Sequence, residues 1–419
     1  MQIKQHFTHK KHYPWVVITL CAFFLFYKYI LQIYPGLITH DLQREFKLGG
    51  AGLGNLAATA FYSYTIMQIF VGVLIDRFGT RALASLALLV SSVGLIWFSY
   101  AHNLDGAIVA RLLMGLGIAF ATVSYMKMAA IWFPPNQFAF VAGLLATAAM
   151  IGAMFGQAPL ALMFAKHGWR SSLFDWGIIG LVFAALYLLV LRDKVHSPQQ
   201  LELAEKADTK NYWHNIKTVF MKKQNWLLTA YSGLAFSPII VFAGLWGHPF
   251  LQQAYQLRAT DVATFTTLSF AGLAFGGPLL GLLADRFMTK RKVMTYGSGT
   301  SLISLSLILY VPHLPLLLLS VLMFLFGFGT GAFMLGFALG RLSNPIAATA
   351  TVIALINTGD SIFGAFTEPM VGKFLDIGWS GKIVNGVHFF SVSNYRHAMM
   401  TLPIYLLLAL LSLLWIKER

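Results

Sequence analysis

A ten-residue charged turn occurs twice in this chain. Gly72-Val73-Leu74-Ile75-Asp76-Arg77-Phe78-Gly79-Thr80-Arg81 returns 209 residues later as Gly281-Leu282-Leu283-Ala284-Asp285-Arg286-Phe287-Met288-Thr289-Lys290. Each copy closes one long apolar run and opens the next. A short charged turn between hydrophobic helices, repeated once per half, predicts a membrane protein built from two similar halves, an architecture typical of secondary transporters. A second motif pair agrees. Gln157-Ala158-Pro159-Leu160 followed by Gly168-Trp169-Arg170 matches Glu368-Pro369-Met370 followed by Gly378-Trp379-Ser380 at an offset of 210 residues.

Composition supports lipid as the solvent. The chain is 58% hydrophobic and 11% charged, whereas soluble domains carry roughly 25% charged residues. A net charge of +15 would suit nucleic acid if it were gathered on one domain. Here the basic residues sit in short turns between apolar runs, which fits the positive-inside effect, so no nucleic-acid partner is expected. One cysteine, Cys21, excludes an intramolecular disulfide. The apolar run after the basic segment Met1 to His12 is too long for a signal-peptide core and reads as a retained first helix.

A membrane span needs about 20 mostly apolar residues. Twelve candidates cover residues 14–38, 52–75, 82–101, 105–131, 137–165, 171–191, 226–254, 262–284, 293–311, 314–340, 346–375 and 398–416. This predicts an all-α membrane protein with an N-terminal six-helix bundle over 1–191, a cytoplasmic linker over 192–225 and a C-terminal six-helix bundle over 226–419. With the N-terminus inside, the cytoplasmic segments hold most of the Lys and Arg, so both termini are expected in the cytoplasm.

These residues resemble the major facilitator superfamily. Gly72, Asp76, Arg77, Gly79 and Arg81 match its Gly-x-x-x-Asp-Arg/Lys-x-Gly-x-Arg/Lys signature, and Gly281, Asp285, Arg286 and Lys290 match the weaker second copy, where Met288 replaces the second glycine. The fourth-span pattern Arg-x-x-x-Gly-x-Gly is present as Arg111, Gly115 and Gly117. The resemblance implies two six-helix bundles related by a pseudo-two-fold axis, rocking about a central cavity by alternating access. It also implies a gate formed by Gly72, Asp76, Arg77, Arg81, Asp285 and Arg286. The competing reading is that these residues terminate helices and orient the chain.

Ionisable groups at membrane depth cost at least about 2.5–3.5 kcal/mol, so each needs a reason. Lys28 lies mid-span with Gln32 one turn later. A wet cavity there would let its ammonium hold a carboxylate or phosphate; the alternative is a pairing with a structural acid or helix C-terminus. The Arg111, Gly115 and Gly117 pattern is expected to pack closely against span one, with the Arg111 guanidinium on buried carbonyls and structural and relay roles both open. Lys127 either lines the cavity or snorkels inward. Asp360 and Glu368 share span eleven with Asn357, and a carboxyl there suits proton coupling; the alternative is a salt bridge between bundles. Gln157 stands at the motif position of Glu368 and reads as its neutral counterpart. Tyr62, Tyr64 and Gln68 place polar heads at depth, and His248 precedes Pro249 in span seven.

There is no phosphate loop for ATP, no zinc-ligand spacing and no nucleophile with a convergent base, so the chain reads as neither enzyme nor cofactor protein. Cationic groups in the first half and acids in the second suit a carboxylate-bearing or zwitterionic solute, such as an amino acid, short peptide or organic anion. The expectation is a proton-coupled, monomeric symporter of a bacterial inner membrane, solvated by lipid. Efflux of a drug or siderophore is the runner-up. A non-transporting sensor or membrane enzyme is the alternative of another class.

Overall fold

The structure, a computed structural model, describes residues 12–193, 217–344 and 349–418. Most of the linker expected over 192–225 therefore lies outside the described residues. In the first half the helices are α1 (Tyr13–Leu37), α2 (Thr39–Phe46), α3 (Gly50–Phe78), α4 (Thr80–Tyr100), α5 (Leu104–Ile118), α6 (Phe120–Trp132), α7 (Pro135–Phe155), α8 (Ala158–His167) and α9 (Trp169–Val190). The second half holds α10 (Lys223–Val241), α11 (Gly247–Tyr255), α12 (Ala259–Arg286), α13 (Lys290–Tyr310), α14 (Leu316–Thr330), α15 (Met334–Leu342) and α16 (Thr349–Ile377). It ends with strands β1 (Ile383–Val384) and β2 (Val387–His388), then α17 (Val392–Ala398) and α18 (Thr401–Ser412).

Among the described residues, nine helices are long and apolar enough to cross a membrane. Large apolar side chains such as Phe23, Leu89, Trp97, Leu189 and Phe275 face outward along them, the pattern expected where lipid rather than water is the solvent. Several expected spans are interrupted, and proline explains most of the breaks. It lacks an N–H and its ring clashes with the carbonyl four residues back. Pro159 thus ends α7 at Phe155, and Pro249 stands four residues after Leu245, inside a π-helical turn over Phe242–Trp246. Pro403 bars α18 from running back through Met399, so the span expected over 398–416 is a 12-residue helix preceded by the separate α17. The hairpin of β1 and β2 turns on Asn385 and Gly386, both at positive φ (52° and 78°), the two-residue turn that Asn-Gly favours.

Contacts divide the chain into two compact units. One comprises the chain to Gln32, Tyr62–Gly156 and the segment from Met163 to the end of the first half. The other comprises Ile33–Phe61, Gln157–Leu162 and the second half. In the first unit small residues bring backbones together: a Cβ on Gly117 would overlap the carbonyl of Ala87, and one on Gly94 would lie 2.8 Å from that of Ala110. The fourth-span glycine Gly117 therefore packs on α4, not on span one as expected. In the second unit Gly272 and Gly327 join α12 to α14, and Gly233 and Gly359 join α10 to α16. Its N-terminal segments are equally tight. A Cβ on Gly36 would overlap the carbonyl of Gly244, one on Gly54 that of Glu368, and one on Gly50 that of Gly372.

Each unit fastens its third span at both ends with charge from the flanks of its sixth. At the start of α4, Asp193 accepts from the Thr80 and Arg81 amides at 3.0 and 3.3 Å; at its end, Arg170 donates to the Ser99 and Ala101 carbonyls at 2.7 and 2.9 Å. In the second unit Glu418 accepts from the Lys290 and Arg291 amides at 2.7 and 3.0 Å, and Arg396 donates to the Leu309 carbonyl at 2.7 Å. Anions at N-termini and cations at C-termini complement the helix dipole and satisfy orphan backbone groups.

Candidate functional site

The first unit is organised around Lys28. Its side chain is 6% exposed and lies near the middle of α1. It donates to the hydroxyl of Tyr64 at 3.1 Å and of Thr122 at 3.4 Å. The ammonium also lies 4.7 Å from the ring centre of Tyr64 and 5.3 Å from that of Tyr29. Hydroxyl oxygens and aromatic faces stabilise a cation. Gln32 and Tyr62 are half-buried nearby in sequence on α1 and α3.

Arg111 is fully buried and donates from Nη1 to the carbonyl of Leu31 at 2.8 Å. That carbonyl would ordinarily be paired with the amide of residue 35, but Pro35 has none. The guanidinium thus supplies the donor that the proline removes. Lys127 donates to the carbonyl of Ile75 at 3.1 Å, in the last turn of α3, a cation at a helix C-terminus. Gln68 donates to the carbonyl of Ala119, where α5 gives way to α6, at 3.0 Å. In the first unit, then, three side chains hold the backbones of α1, α3 and the α5–α6 junction.

The second unit gathers Gln157, Asn357, Asp360 and Glu368. Asp360 is 8% exposed and accepts from the hydroxyl of Ser232 at 2.6 Å. Glu368 is 3% exposed, and its main-chain carbonyl accepts from Trp246 Nε1 at 2.9 Å. Asn357, one turn before Asp360, is half-buried. Gln157 occupies the break after α7 and is completely buried. Its Oε1 accepts from Thr266 Oγ1 at 2.8 Å and lies 2.7 Å from His248 Nε2, and its Nε2 donates to the Ala243 carbonyl at 3.1 Å in the π-helical turn. The sequence reading singled out Gln157 and His248 separately; their meeting at Thr266 was not legible because 91 residues separate them. Ser232 and Thr122 were missed altogether, since a lone hydroxyl in an apolar span carries no pattern.

In the duplicated turns, Arg77 lies over Phe78 and Arg81 donates to the Leu188 carbonyl at 2.6 Å. The side chain of Asp76 lies outside the described residues. In the second copy Asp285 pairs with Lys290 at 3.0 Å in an exposed setting, and Arg286 is exposed. Gly72 and Gly281 would accept a Cβ with nothing within 4 Å. The departure at Met288 has a local reason. Gly79 caps α4 at φ 83°, a conformation that favours glycine. The second copy caps α13 with Thr289, whose side chain accepts from the Lys292 amide, and needs no such bend.

Comparison with known proteins decides what kind of molecule carries these groups: residues 16–366 match the Major Facilitator Superfamily. The chain belongs to that family. Its fold, its apolar helices and its relatives make it an integral, multi-pass membrane transporter. Among the relatives of this facilitator, YybO of Bacillus subtilis (strain 168), an uncharacterised transporter, is 22% identical over 87% of this chain and 88% of its own. The probable galactarate/D-glucarate transporter GudP of the same organism is 24% identical over 88% of this chain and 86% of its own. Its hexuronate transporter is 25% identical over 56% of this chain and 57% of its own. In fold the chain is similar to a bacterial homologue of the human lysosomal transporter Spinster, crystallised inward-facing and occupied (TM-score 0.79, 15% identity, 97% of each chain covered).

Proposed function

We propose that this facilitator moves a small organic anion by alternating access, with Lys28 receiving a carboxylate and Asp360 exchanging the coupling proton. The observation that carries the reading is the buried ammonium of Lys28, set mid-helix among the hydroxyls of Tyr64 and Thr122 and two aromatic faces. A point charge so held suits one end of a carboxylate-bearing solute. The relatives' names support the anion in particular: hexuronate, galactarate/D-glucarate and L-galactonate transporters all take sugar acids without an amine. An amino acid or short peptide is the solute class also compatible with the charge pattern. A bacterial inner membrane with both termini cytoplasmic, a monomer, and Asp76, Arg77, Arg81, Asp285 and Arg286 as gating turns complete the proposal.

A thermal-shift screen of the purified protein tests the solute class. A ligand binding only the folded state stabilises it by about 2.7 kcal/mol at a hundred times its dissociation constant. Hexuronates, aldarates or aldonates should raise the melting temperature of the wild type and not of Lys28→Ala. Stabilisation by amino acids or dipeptides alone would sink the organic-anion reading. In proteoliposomes, Asp360→Asn should block accumulation driven by a pH gradient while sparing counterflow; unchanged pH dependence would remove Asp360 from coupling.

A further inference from the structure

We infer that the carboxylate of Asp376 is a latch between the two halves of the chain, holding the start of α3 to the end of α16 until the halves part. This rests on the reading of transport by alternating access, which requires helices of the two halves to separate and rejoin.

The latch ends an antiparallel seam with a rung at every helical turn. A Cβ on Gly54 would overlap the Glu368 carbonyl, and a Cβ on Gly50, one turn earlier on α3, would overlap that of Gly372, one turn later on α16. The next turn of α16 brings Asp376, the residue before its last. Oδ1 accepts from the Gly50 amide at 2.6 Å and Oδ2 from the Ala51 amide at 2.7 Å. Gly50 opens α3, so both donors are ones that a helix leaves without an internal partner. The bonds have charge-assisted lengths, and an anion at a helix start gains further from the dipole. A Cβ on Gly49 would lie 2.9 Å from Oδ1, so a side chain there would press on the carboxylate.

What Asp376 joins sets it apart from the other caps of this kind. Asp193 and Glu418 each serve two amides at a helix start, and each stays within its own half of the chain. Asp376 reaches across 326 residues from the second half to the first. The segment it holds, Ile33–Phe61, packs with the second half, whereas α3 from Tyr62 onward packs with the first. A fastening inside one half persists whatever the halves do. A fastening between them must break each time they separate.

The carboxylate is also placed to let go. Its side chain is 31% exposed, so water can replace the amides as they leave. The glycine rungs beside it are van der Waals contacts and need no polar exchange. On its other flank, His388 Nδ1 lies 4.0 Å from Oδ1, and the Trp379 ring stacks on that imidazole at 3.7 Å. A helix cap of this type shifts an equilibrium by roughly two- to thirtyfold, enough to set which state predominates without locking the protein in it.

Double electron–electron resonance on the purified full-length protein in nanodiscs tests the latch. Spin labels go on Arg44→Cys in α2 and Ser380→Cys beyond α16, both exposed positions, with Cys21→Ala removing the native thiol. We expect two label separations, the shorter belonging to the latched state. Asp376→Ala should raise the long-to-short ratio about tenfold. Asp376→Asn, which keeps one acceptor oxygen and the side-chain shape, should raise it about threefold, and it carries the test if the alanine variant fails to fold. Asp193→Ala, which removes the same chemistry from within one half, should leave the ratio within about twofold of wild type. A ratio unmoved by Asp376 substitutions, or moved equally by Asp193→Ala, overturns the latch and leaves alternating access standing. A single separation in every variant overturns alternating access and the latch with it.

Discussion

The pairing of Arg111 with the carbonyl that Pro35 leaves open can be measured as a coupling. Replacing Arg111 by Met removes the donor and leaves the Leu31 carbonyl buried. An orphaned buried polar group costs about 1–3 kcal/mol. Pro35→Ala restores a backbone N–H four residues from that carbonyl, so in its background the same Arg111→Met change should orphan nothing. The penalty of Arg111→Met should therefore be smaller by about 1–3 kcal/mol when Ala stands at 35. Other interactions of the guanidinium, and the desolvation of its charge, enter both arms of the cycle and cancel. The assay is unfolding of the four purified variants in mixed detergent, read by tryptophan fluorescence. Equal penalties in the two backgrounds would refute the argument and return Arg111 to a relay or ligand role. Because Lys28 lies one turn before Leu31, solute-induced stabilisation should weaken in Arg111→Met and recover in part in the double variant.

Two further outcomes follow from packing and capping. Gly54→Ala places a methyl group against the Glu368 carbonyl and should destabilise by about 1–3 kcal/mol, whereas Gly72→Ala meets nothing and should stabilise α3 by up to about 1 kcal/mol. A melting temperature that does not fall in Gly54→Ala would contradict the tight seam at Gly54, and one that falls in Gly72→Ala would contradict the open space there. Asp193→Ala and Glu418→Ala each remove a carboxylate that serves two helix-start amides and should each cost about 0.5–2 kcal/mol. The two losses should add, because the sites lie in separate units; a double variant no less stable than either single one would refute that independence.

The duplication was legible because charge inside an apolar chain is rare enough to mark position. The turn at Asp76 and Asp285 and the Pro159 and Pro369 motifs register the two halves within one residue of each other. Span positions followed from apolar length alone. Where helices break inside a span was less visible, although Pro159, Pro249 and Pro403 each carried the signal. Asn385-Gly386 likewise announced a hairpin between spans eleven and twelve. The partners of buried polar groups were not legible at all. Asp193 serves Thr80 across 113 residues and Glu418 serves Lys290 across 128, and no local period encodes such a meeting. For the same reason Arg111 stayed open between structural and relay roles, and Lys127 between lining the cavity and snorkelling inward, until the Leu31 and Ile75 oxygens were in view.

The paired fastenings on the third spans bear on how the polypeptide can be cut. Arg170 and Asp193 act wholly upstream of residue 194, and Arg396 and Glu418 wholly downstream of 216. A break introduced between those positions severs none of them. Two fragments coexpressed from separate messages would each retain their own buckles, whereas a truncation that removes Glu418 would unclasp the second.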